Sequence, residues 1–214
     1  MVNMQVNVSD KAVKKALRTL GSRSGVAISR AANRAATTAN KTISAETRER
    51  YIGVKAGDVK KALFKRGKAT SAKPFATLEY RSGHDNLYKT GDVSPKRVVK
   101  TGRGHASPHF YKARVMRGRP FVALMGRPRP FVQEIRNPKG ENKVGLFRRK
   151  TDEEKAESRR KGTKGTGRNA IVGVAAPALV QMMKNKEVLD GVRKEAGAMF
   201  EKRLEHEIDH MLKS

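Results

Sequence analysis

The C-terminal part of the chain contains a short motif with the spacing of a zinc site. Residues 206–210 read His-Glu-Ile-Asp-His, which matches the pattern H-E-x-x-H. On a helix, His206 and His210 lie on one face, as two zinc ligands of a metalloprotease do, and Glu207 takes the place of the general base. Zinc hydrolysis is therefore one chemistry to weigh.

Other features of the sequence count against zinc chemistry. Four residues follow His210, too few for a third ligand downstream, and the other three histidines lie far away in a basic stretch. The segment is also dense in alternating charge, which is typical of a solvated or interface face. We expect His206 and His210 to be surface residues near a helix C-terminus, where positive charge is favoured. We expect no catalytic residue, no metal site and no cofactor.

The middle of the chain combines arginine with aromatic residues around Gly- and Pro-rich turns. The arginines that we expect to contact DNA or a partner protein are Arg114, Arg117, Arg119, Arg127, Arg129, Arg148 and Arg149. The interleaved rings are Phe110, Tyr111, Phe121, Phe131 and Phe147. Such rings can stack on bases while arginines bind phosphates, although aromatic residues on strands are more often core residues. No signature of sequence-specific recognition is present, so we expect contacts to the phosphate backbone or to carboxylates.

The net charge favours a negatively charged partner. The 214 residues include 48 Lys and Arg against 20 Asp and Glu, which gives a formal charge of +28. Residues 59–168 alone hold 30 basic and 9 acidic residues. Self-repulsion on this scale opposes compaction unless a polyanion or an acidic protein offsets it.

The residue types also exclude several classes of protein. There is no cysteine, so disulfides, thiol catalysis and Cys-based zinc sites are ruled out. No apolar run approaches the roughly 20 residues that span a bilayer, and the N-terminal residues lack an apolar signal core. We expect no membrane partner, and we expect assembly in the cytoplasm.

Helical patterns occupy both ends of the chain. Ser9 and Asp10 cap a predicted helix that ends at Gly21. Residues 26–50 form an Ala-rich helix, whose small side chains either admit a second helix or a neighbouring subunit, or reflect helix propensity alone. Asp58 is expected to cap a short helix over residues 59–64.

Near the C-terminus, Pro177 is expected to open a helical stretch. Residues 187–212 then follow as a long amphipathic helix. Its expected apolar positions are Val188, Val192, Met199, Leu204, Ile208 and Met211.

Strand patterns fill the region between the helices. Apolar and polar residues alternate from Phe75 to Tyr80, as in a half-buried strand. Further strand candidates are residues 93–100, 110–116, 121–125 and 131–135, which Gly and Pro separate. Residues 148–169 contain almost no large apolar side chain and are expected to form an exposed arm or a solvated helix.

These patterns predict an α+β fold with N-terminal helices, a central antiparallel sheet or small barrel with long basic loops, and a long C-terminal helix. Four regions are expected within one structural domain. They are a helical region at 1–66, a basic β-rich core at 67–149, a charged flexible arm at 150–169 and a helical region at 170–214.

Four stretches of the chain, in order, resemble the minor tail protein Z family, or tail completion proteins, of long-tailed bacteriophages. The stretches are residues 31–35 leading to Glu46 and Tyr51, residues 87–89 leading to 93–97, residues 131–132 followed by 144–149, and residues 171–174 followed by 176–178. The sequence departs from the family pattern at an insertion around residues 100–109 and at the charged arm of 150–168.

This resemblance implies a non-enzymatic structural protein of the virion, at the head-proximal end of the tail. It implies a ring, with six subunits to match the tail tube, next to the tail terminator and the head–tail connector. Genome DNA in the channel would meet the basic residues through non-specific phosphate contacts. The alternative is a free nucleic-acid-binding protein without sequence preference, and a zinc hydrolase is the least favoured reading.

Overall fold

The fold was described from a computed structural model, which covers residues 2–5, 10–96, 110–136, 142–163, 166–167 and 169–213. The helices are α1 (Asp10–Leu20), α2 (Ser24–Arg50), α3 (Ala56–Ala62), α4 (Leu87–Thr90), α5 (Asp152–Arg160), α6 (Leu179–Met183) and α7 (Lys186–Lys213). The strands are β1 (Val2–Gln5), β2 (Leu63–Gly67), β3 (Thr77–Tyr80), β4 (Asp92–Ser94), β5 (Lys112–Arg114), β6 (Val122–Ala123), β7 (Phe131–Arg136), β8 (Asn142–Arg149) and β9 (Ile171–Gly173). The predicted α+β class is confirmed.

The chain folds into two compact units that do not follow its linear order. The helical unit comprises Met1–Glu49, Val54–Gly83 and Ala178–Ser214, and the sheet unit comprises Arg50–Gly53 and His84–Pro177. The N-terminal and C-terminal helices therefore share one unit.

The N-terminal helices agree with the sequence pattern. Helices α1 and α2 are joined by a 3-10 turn over Gly21–Arg23. Gly21 has φ of +52°, a backbone conformation that glycine adopts at little steric cost, and this breaks the helical run after Leu20. Ser9, the expected cap of α1, lies outside the described residues.

The alanines of α2 form a large part of the core of the helical unit. A stripe of buried alanines on α2 shares one cluster with Phe200, Leu204, Ile208 and Met211 of α7. Small side chains on one helix leave room for bulky ones on the other. The Ala-rich face is thus covered by the chain's own C-terminal helix.

The long C-terminal helix is confirmed as α7, within one residue of the predicted bounds. Five of its six expected apolar positions are buried, while Met199 is half-buried. Phe200, at 1 % exposure, is a core residue that the pattern missed. Pro177 does not open the preceding helix, because α6 begins at Leu179 after Ala178 in an extended conformation.

The helical unit also contains a small antiparallel sheet in the order β1-β3-β2. The predicted alternation is confirmed in β3, where Leu78 and Tyr80 are buried. The prediction of a helix over residues 59–64 is wrong at its C-terminal end, because Leu63 belongs to strand β2 and pairs with Tyr80. Asp58 is not the residue that caps α3 from outside. It lies within the first turn, where its carboxylate accepts the backbone N–H of Lys55 at 3.1 Å.

The sheet unit contains two more antiparallel sheets, β4-β5-β6 and β7-β8-β9. The described strands therefore form three sheets of three strands, rather than the one central sheet or barrel that the pattern suggested. The three described strands of the first sheet are only two or three residues long, because Gly and Pro interrupt them. Strand β8 pairs with β7 over six residues and was not predicted. Residues 97–100 of the expected strand 93–100 lie outside the described residues.

One asparagine links the elements of the sheet unit. Asn86 caps α4 by accepting the N–H of Tyr88 at 3.0 Å. The same side chain donates to the carbonyl of Leu146 at 2.8 Å and accepts the N–H of Leu146 at 3.0 Å. These bonds hold α4 against β8, above a core that contains Leu87, Tyr111, Val132 and Leu146.

The charged arm contains a regular helix. Thr151 caps α5 by accepting the N–H of Glu154, and three acidic residues occupy the first turn, where the helix dipole favours them. No residue of α5 is buried, as expected of a solvated helix. In the described part of the chain, no helix is both long enough and apolar enough to cross a lipid bilayer.

Candidate functional site

The seven arginines singled out in the sequence divide into two groups in the sheet unit. Arg114 belongs to the group with protein partners. From β5 its Nε and Nη2 donate to Asp92 Oδ2 on β4, at 3.2 and 3.0 Å. Its guanidinium also lies 4.6 Å from the centre of the Phe121 ring. These contacts tie β4, β5 and the Phe121 segment together.

Arg148 forms a bidentate ion pair with Glu154. Its Nη1 and Nη2 donate to the two carboxylate oxygens at 2.7 and 2.5 Å. The hydrogen bonds from Arg148, helped by the N–H of Thr151, lower the pKa of Glu154 to about 2. The same bond raises the pKa of Arg148. The pair anchors α5 to strand β8.

Arg149, the next residue, points to a different partner. Its Nη1 donates to Asn169 Oδ1 at 2.8 Å, and its side chain is exposed. Among the described residues this neutral amide is the one partner of the Arg149 guanidinium, so Arg149 is intermediate between the arginines that have an acidic partner and those that have no partner.

The second group has no protein partner among the described residues. Arg117, Arg119, Arg127 and Arg129 are all exposed, and their guanidinium groups make no hydrogen bond or ion pair within that part of the chain. They lie on the turns between β5 and β7. We call these four residues the loop arginines.

Exposed apolar side chains lie beside two of the loop arginines. Phe110 is 67 % exposed and Met125 is 78 % exposed. Both line a small cavity of about 190 Å³ together with Arg127 and Arg129. Large apolar side chains next to unpaired arginines are typical of surfaces that bind another macromolecule.

The interleaved aromatic residues do not share one role. Tyr111 is a core residue, and its hydroxyl accepts the N–H of Val132 at 3.3 Å. Phe121, Phe131 and Phe147 are half-buried, and Phe110 is exposed. Of the five rings, Phe110 is therefore the one most accessible for stacking.

Helix α7 places the residues of the His-Glu-Ile-Asp-His segment in different environments. His206 and His210 are exposed on α7, whereas Glu207 is only 2 % exposed. Glu207 accepts a hydrogen bond from Arg30 at 3.0 Å and forms an ion pair with Arg203 at 2.6 Å. Its carboxylate is thus paired with two guanidinium groups of the helical unit. Among the described residues no cluster of three or more potential metal ligands is found.

The two arginines that hold Glu207 belong to a larger basic groove of the helical unit. A cavity of about 610 Å³ is lined by Arg30, Asn33, Arg34, Thr37, Arg66 and Arg203. We call it the arginine groove. Four guanidinium groups face it, from α2, β2 and α7.

Fixed hydrogen bonds position the lining of the arginine groove. Asn33 donates to the carbonyl of Ala69 at 3.0 Å and accepts its N–H at 2.9 Å, which holds the chain after β2 against α2. Arg66 donates to Thr37 Oγ1 at 2.5 Å. Arg34 is exposed and makes no ion pair or hydrogen bond with the described residues.

The arginine groove was not among the predicted sites. Arg30 and Arg34 are four residues apart and so share a helix face, which is a local signal. Arg66 and Arg203 lie far from them in sequence, and only the folded helical unit brings them to the same groove.

Comparison of the chain with protein-family models, with curated proteins and with solved structures finds no match. The fold and the two basic surfaces are therefore the basis on which a function is proposed.

Proposed function

We propose that the chain is a structural protein of a bacteriophage virion, a tail completion component that forms a ring at the head-proximal end of the tail. In this role it helps to join head and tail and to position the genome DNA. The proposal assigns it no catalysis. It is assembled in the host cytoplasm.

The observation that carries the proposal is the surface formed by two of the loop arginines, Arg127 and Arg129, beside Phe110 and Met125. Arginine, phenylalanine and methionine are enriched where proteins bind one another, while unpaired charges far from an acid would be costly to bury against an apolar partner. A neighbour that presents both apolar side chains and negative charge satisfies this surface. Contact between subunits of a ring, or with an acidic tail protein, provides such a neighbour.

The order of the four family-like stretches also supports the proposal. The family resemblance that these stretches carry implies six subunits, with the tail terminator, the tail tube and the head–tail connector as neighbours. DNA in the channel of such a ring would be held by phosphate contacts, which position a duplex without reading its sequence. The loop arginines, having no protein partner in the described residues, are the members of the predicted set best suited to this contact.

A free nucleic-acid-binding protein is the second candidate, favoured by the position of Phe110 beside Arg127 and Arg129. An exposed ring next to arginines can stack on an unpaired base while the cations bind its phosphates. Such a protein needs no ring to bind tightly. Equal affinity of the monomeric chain and of any assembled form for unrelated duplexes, across a salt series, would favour this second candidate.

The test of the first candidate is the protein content of purified tails. Quantitative mass spectrometry of tails from the phage that encodes the chain is expected to find it at a fixed ratio to the tail terminator, near one copy per terminator subunit. Tails made without the gene are expected to stay unjoined to heads. Intact, infectious particles that contain none of this chain would refute the proposal.

A further inference from the structure

The arginine groove of the helical unit collects more positive charge than the protein itself offsets. Of the four arginines that line it, Arg30 and Arg203 share a single carboxylate, that of Glu207. Arg34 and Arg66 have no carboxylate partner among the described residues. Four cations and one anion leave an excess of three positive charges around one opening.

This arrangement is unfavourable without a bound anion. Arg30 and Arg34 lie one helical turn apart, where two like charges destabilise a helix. Bringing Arg66 and Arg203 to the same opening adds further repulsion, which solvent screens only partly. An anionic ligand in the groove would offset the repulsion among all four arginines at once.

Apart from Arg34, the arginines of the lining are also held in place before any ligand arrives. Glu207, almost fully buried, fixes Arg30 and Arg203, while Thr37 fixes Arg66 and Asn33 fixes the segment that follows β2. Donors that are already positioned lose less conformational freedom on binding. Ordinary solvated surface arginines lack such supports.

We propose that the arginine groove binds phosphate groups, supplied by a nucleic-acid backbone or by a small phosphorylated molecule. Arginines from three separate elements line one opening. A tetrahedral phosphate can accept hydrogen bonds from several directions at once, whereas a planar carboxylate is matched by a single guanidinium group. A cavity of about 610 Å³ has room for more than one phosphate. This site does not depend on the proposed role in a tail, and it shares no residue with the arginines predicted from sequence.

The first arm of the test uses pyrophosphate as the probe. Isothermal titration calorimetry at fixed ionic strength compares the full chain with R34Q/R66Q, which removes two exposed arginines and leaves the Glu207 pairs intact. The matched control is R18Q/R48Q, which removes two exposed helical arginines of the same unit outside the groove. Far-UV circular dichroism checks that each variant is folded.

Pyrophosphate is expected to bind the wild type and the control with affinities within about twofold of each other. R34Q/R66Q is expected to weaken binding by at least about tenfold, the loss of one charge-assisted hydrogen bond. R34K/R66K keeps the positive charges but loses the two-donor geometry of the guanidinium groups. Its affinity for pyrophosphate is expected to lie between those of the wild type and R34Q/R66Q. No binding to the wild type, or equal losses in R34Q/R66Q and R18Q/R48Q, overturns the proposal. Tighter binding of poly-glutamate than of pyrophosphate overturns it as well.

The second arm separates the two phosphate sources. Binding of a short mixed-sequence DNA duplex is measured over a salt series for the same variants. If the groove takes a nucleic-acid backbone, R34Q/R66Q lowers the salt slope by about two relative to R18Q/R48Q. If the slope is unchanged while pyrophosphate binding is lost, the ligand is a small phosphorylated molecule.

Discussion

In the helical unit four arginines line one groove and two of them share a buried carboxylate, whereas in the sheet unit four arginines stand on loops without an acidic partner among the described residues. The two sets differ in how they are positioned. The groove arginines come from three elements, and three of them, Arg30, Arg66 and Arg203, are held by Glu207 or Thr37. The loop arginines are close neighbours in sequence, and no hydrogen bond to another described residue fixes their guanidinium groups.

This difference changes the meaning of the overall charge. The helical unit holds 24 basic and 12 acidic residues, and the sheet unit holds 24 basic and 8 acidic residues. The excess that is concentrated at 59–168 in the linear sequence is therefore divided between the units. A run of basic residues in sequence locates the loop arginines, but a basic site assembled by folding becomes visible only in three dimensions.

The largest effect is expected where the sheet unit depends on close backbone approach. Gly53 has φ of +73°, and a Cβ atom there would lie 2.4 Å from the carbonyl oxygen of Lys89. Gly53→Ala therefore combines backbone strain with a clash that no side chain can relieve, and we expect a loss of about 3 kcal/mol in the free energy of unfolding. Urea denaturation followed by circular dichroism measures it.

Gly57→Ala is the matched control, four residues away in α3 of the helical unit. Nothing lies within 4 Å of its added Cβ, so a gain of up to about 0.5 kcal/mol is expected from helix propensity. Equal effects of the two substitutions would show that the approach of Gly53 to Lys89 is not a constraint.

The helical unit is expected to depend instead on the charges around Glu207. R30Q/R203Q leaves that carboxylate buried without a cation, at an expected cost of about 2 kcal/mol, less than for fully buried pairs because both arginines are partly exposed. Adding E207Q should recover most of the loss, since an amide carries no charge. Urea denaturation followed by circular dichroism measures the free energy of unfolding of each variant. A loss below about 0.5 kcal/mol in R30Q/R203Q would mean that Glu207 needs no partner.

Within the sheet unit, the loop arginines and the paired arginines are expected to separate in DNA binding. R127Q/R129Q should lower the salt slope of duplex binding by about two, if each arginine contacts one phosphate. R148Q should leave the slope nearly unchanged but lower stability, because Arg148 is occupied by Glu154. Equal slopes for both variants would remove the distinction between the two groups.

The smallest effect is expected from the Arg148–Glu154 pair itself. The pKa of Glu154 falls from an ordinary value of 4.5 to about 2 in the folded protein. The pair therefore stabilises the fold fully above pH 4.5, and this contribution is lost as the pH falls from 4.5 towards 2. Both side chains are about one-third exposed, so the contribution should be below about 1 kcal/mol. NMR titration of the Glu154 carboxyl group checks the pKa, and a midpoint near 4.5 would contradict the pair.

The sequence predicts the helices better than the sheets. Helix α7 follows from a periodic pattern that its own residues carry, and α2 follows from a long Ala-rich run. Leu63 instead left a predicted helix because Tyr80, seventeen residues on, offers a backbone partner. Short strands broken by Gly and Pro gain their stability from such distant partners, so neither β8 nor the division into three sheets was visible locally.

The candidate sites show the same limit. Sequence reasoning correctly placed His206 and His210 on the surface, because the charge around them is local. It grouped Arg148 with the loop arginines, since nothing in a list of basic residues shows that Glu154 is bonded to Arg148 six residues earlier. Glu207 looked like part of a motif with the histidines, and it is a buried partner of Arg30, 177 residues away.

The most direct test of the proposed role is a cryo-EM map of the head–tail junction of the virion in which we propose that this chain is a component. The account predicts a closed ring at the head-proximal end of the tail, with six copies of density into which the helical unit and the sheet unit each fit. A junction fully accounted for by other proteins, with this chain found only free or bound to DNA elsewhere, would contradict it.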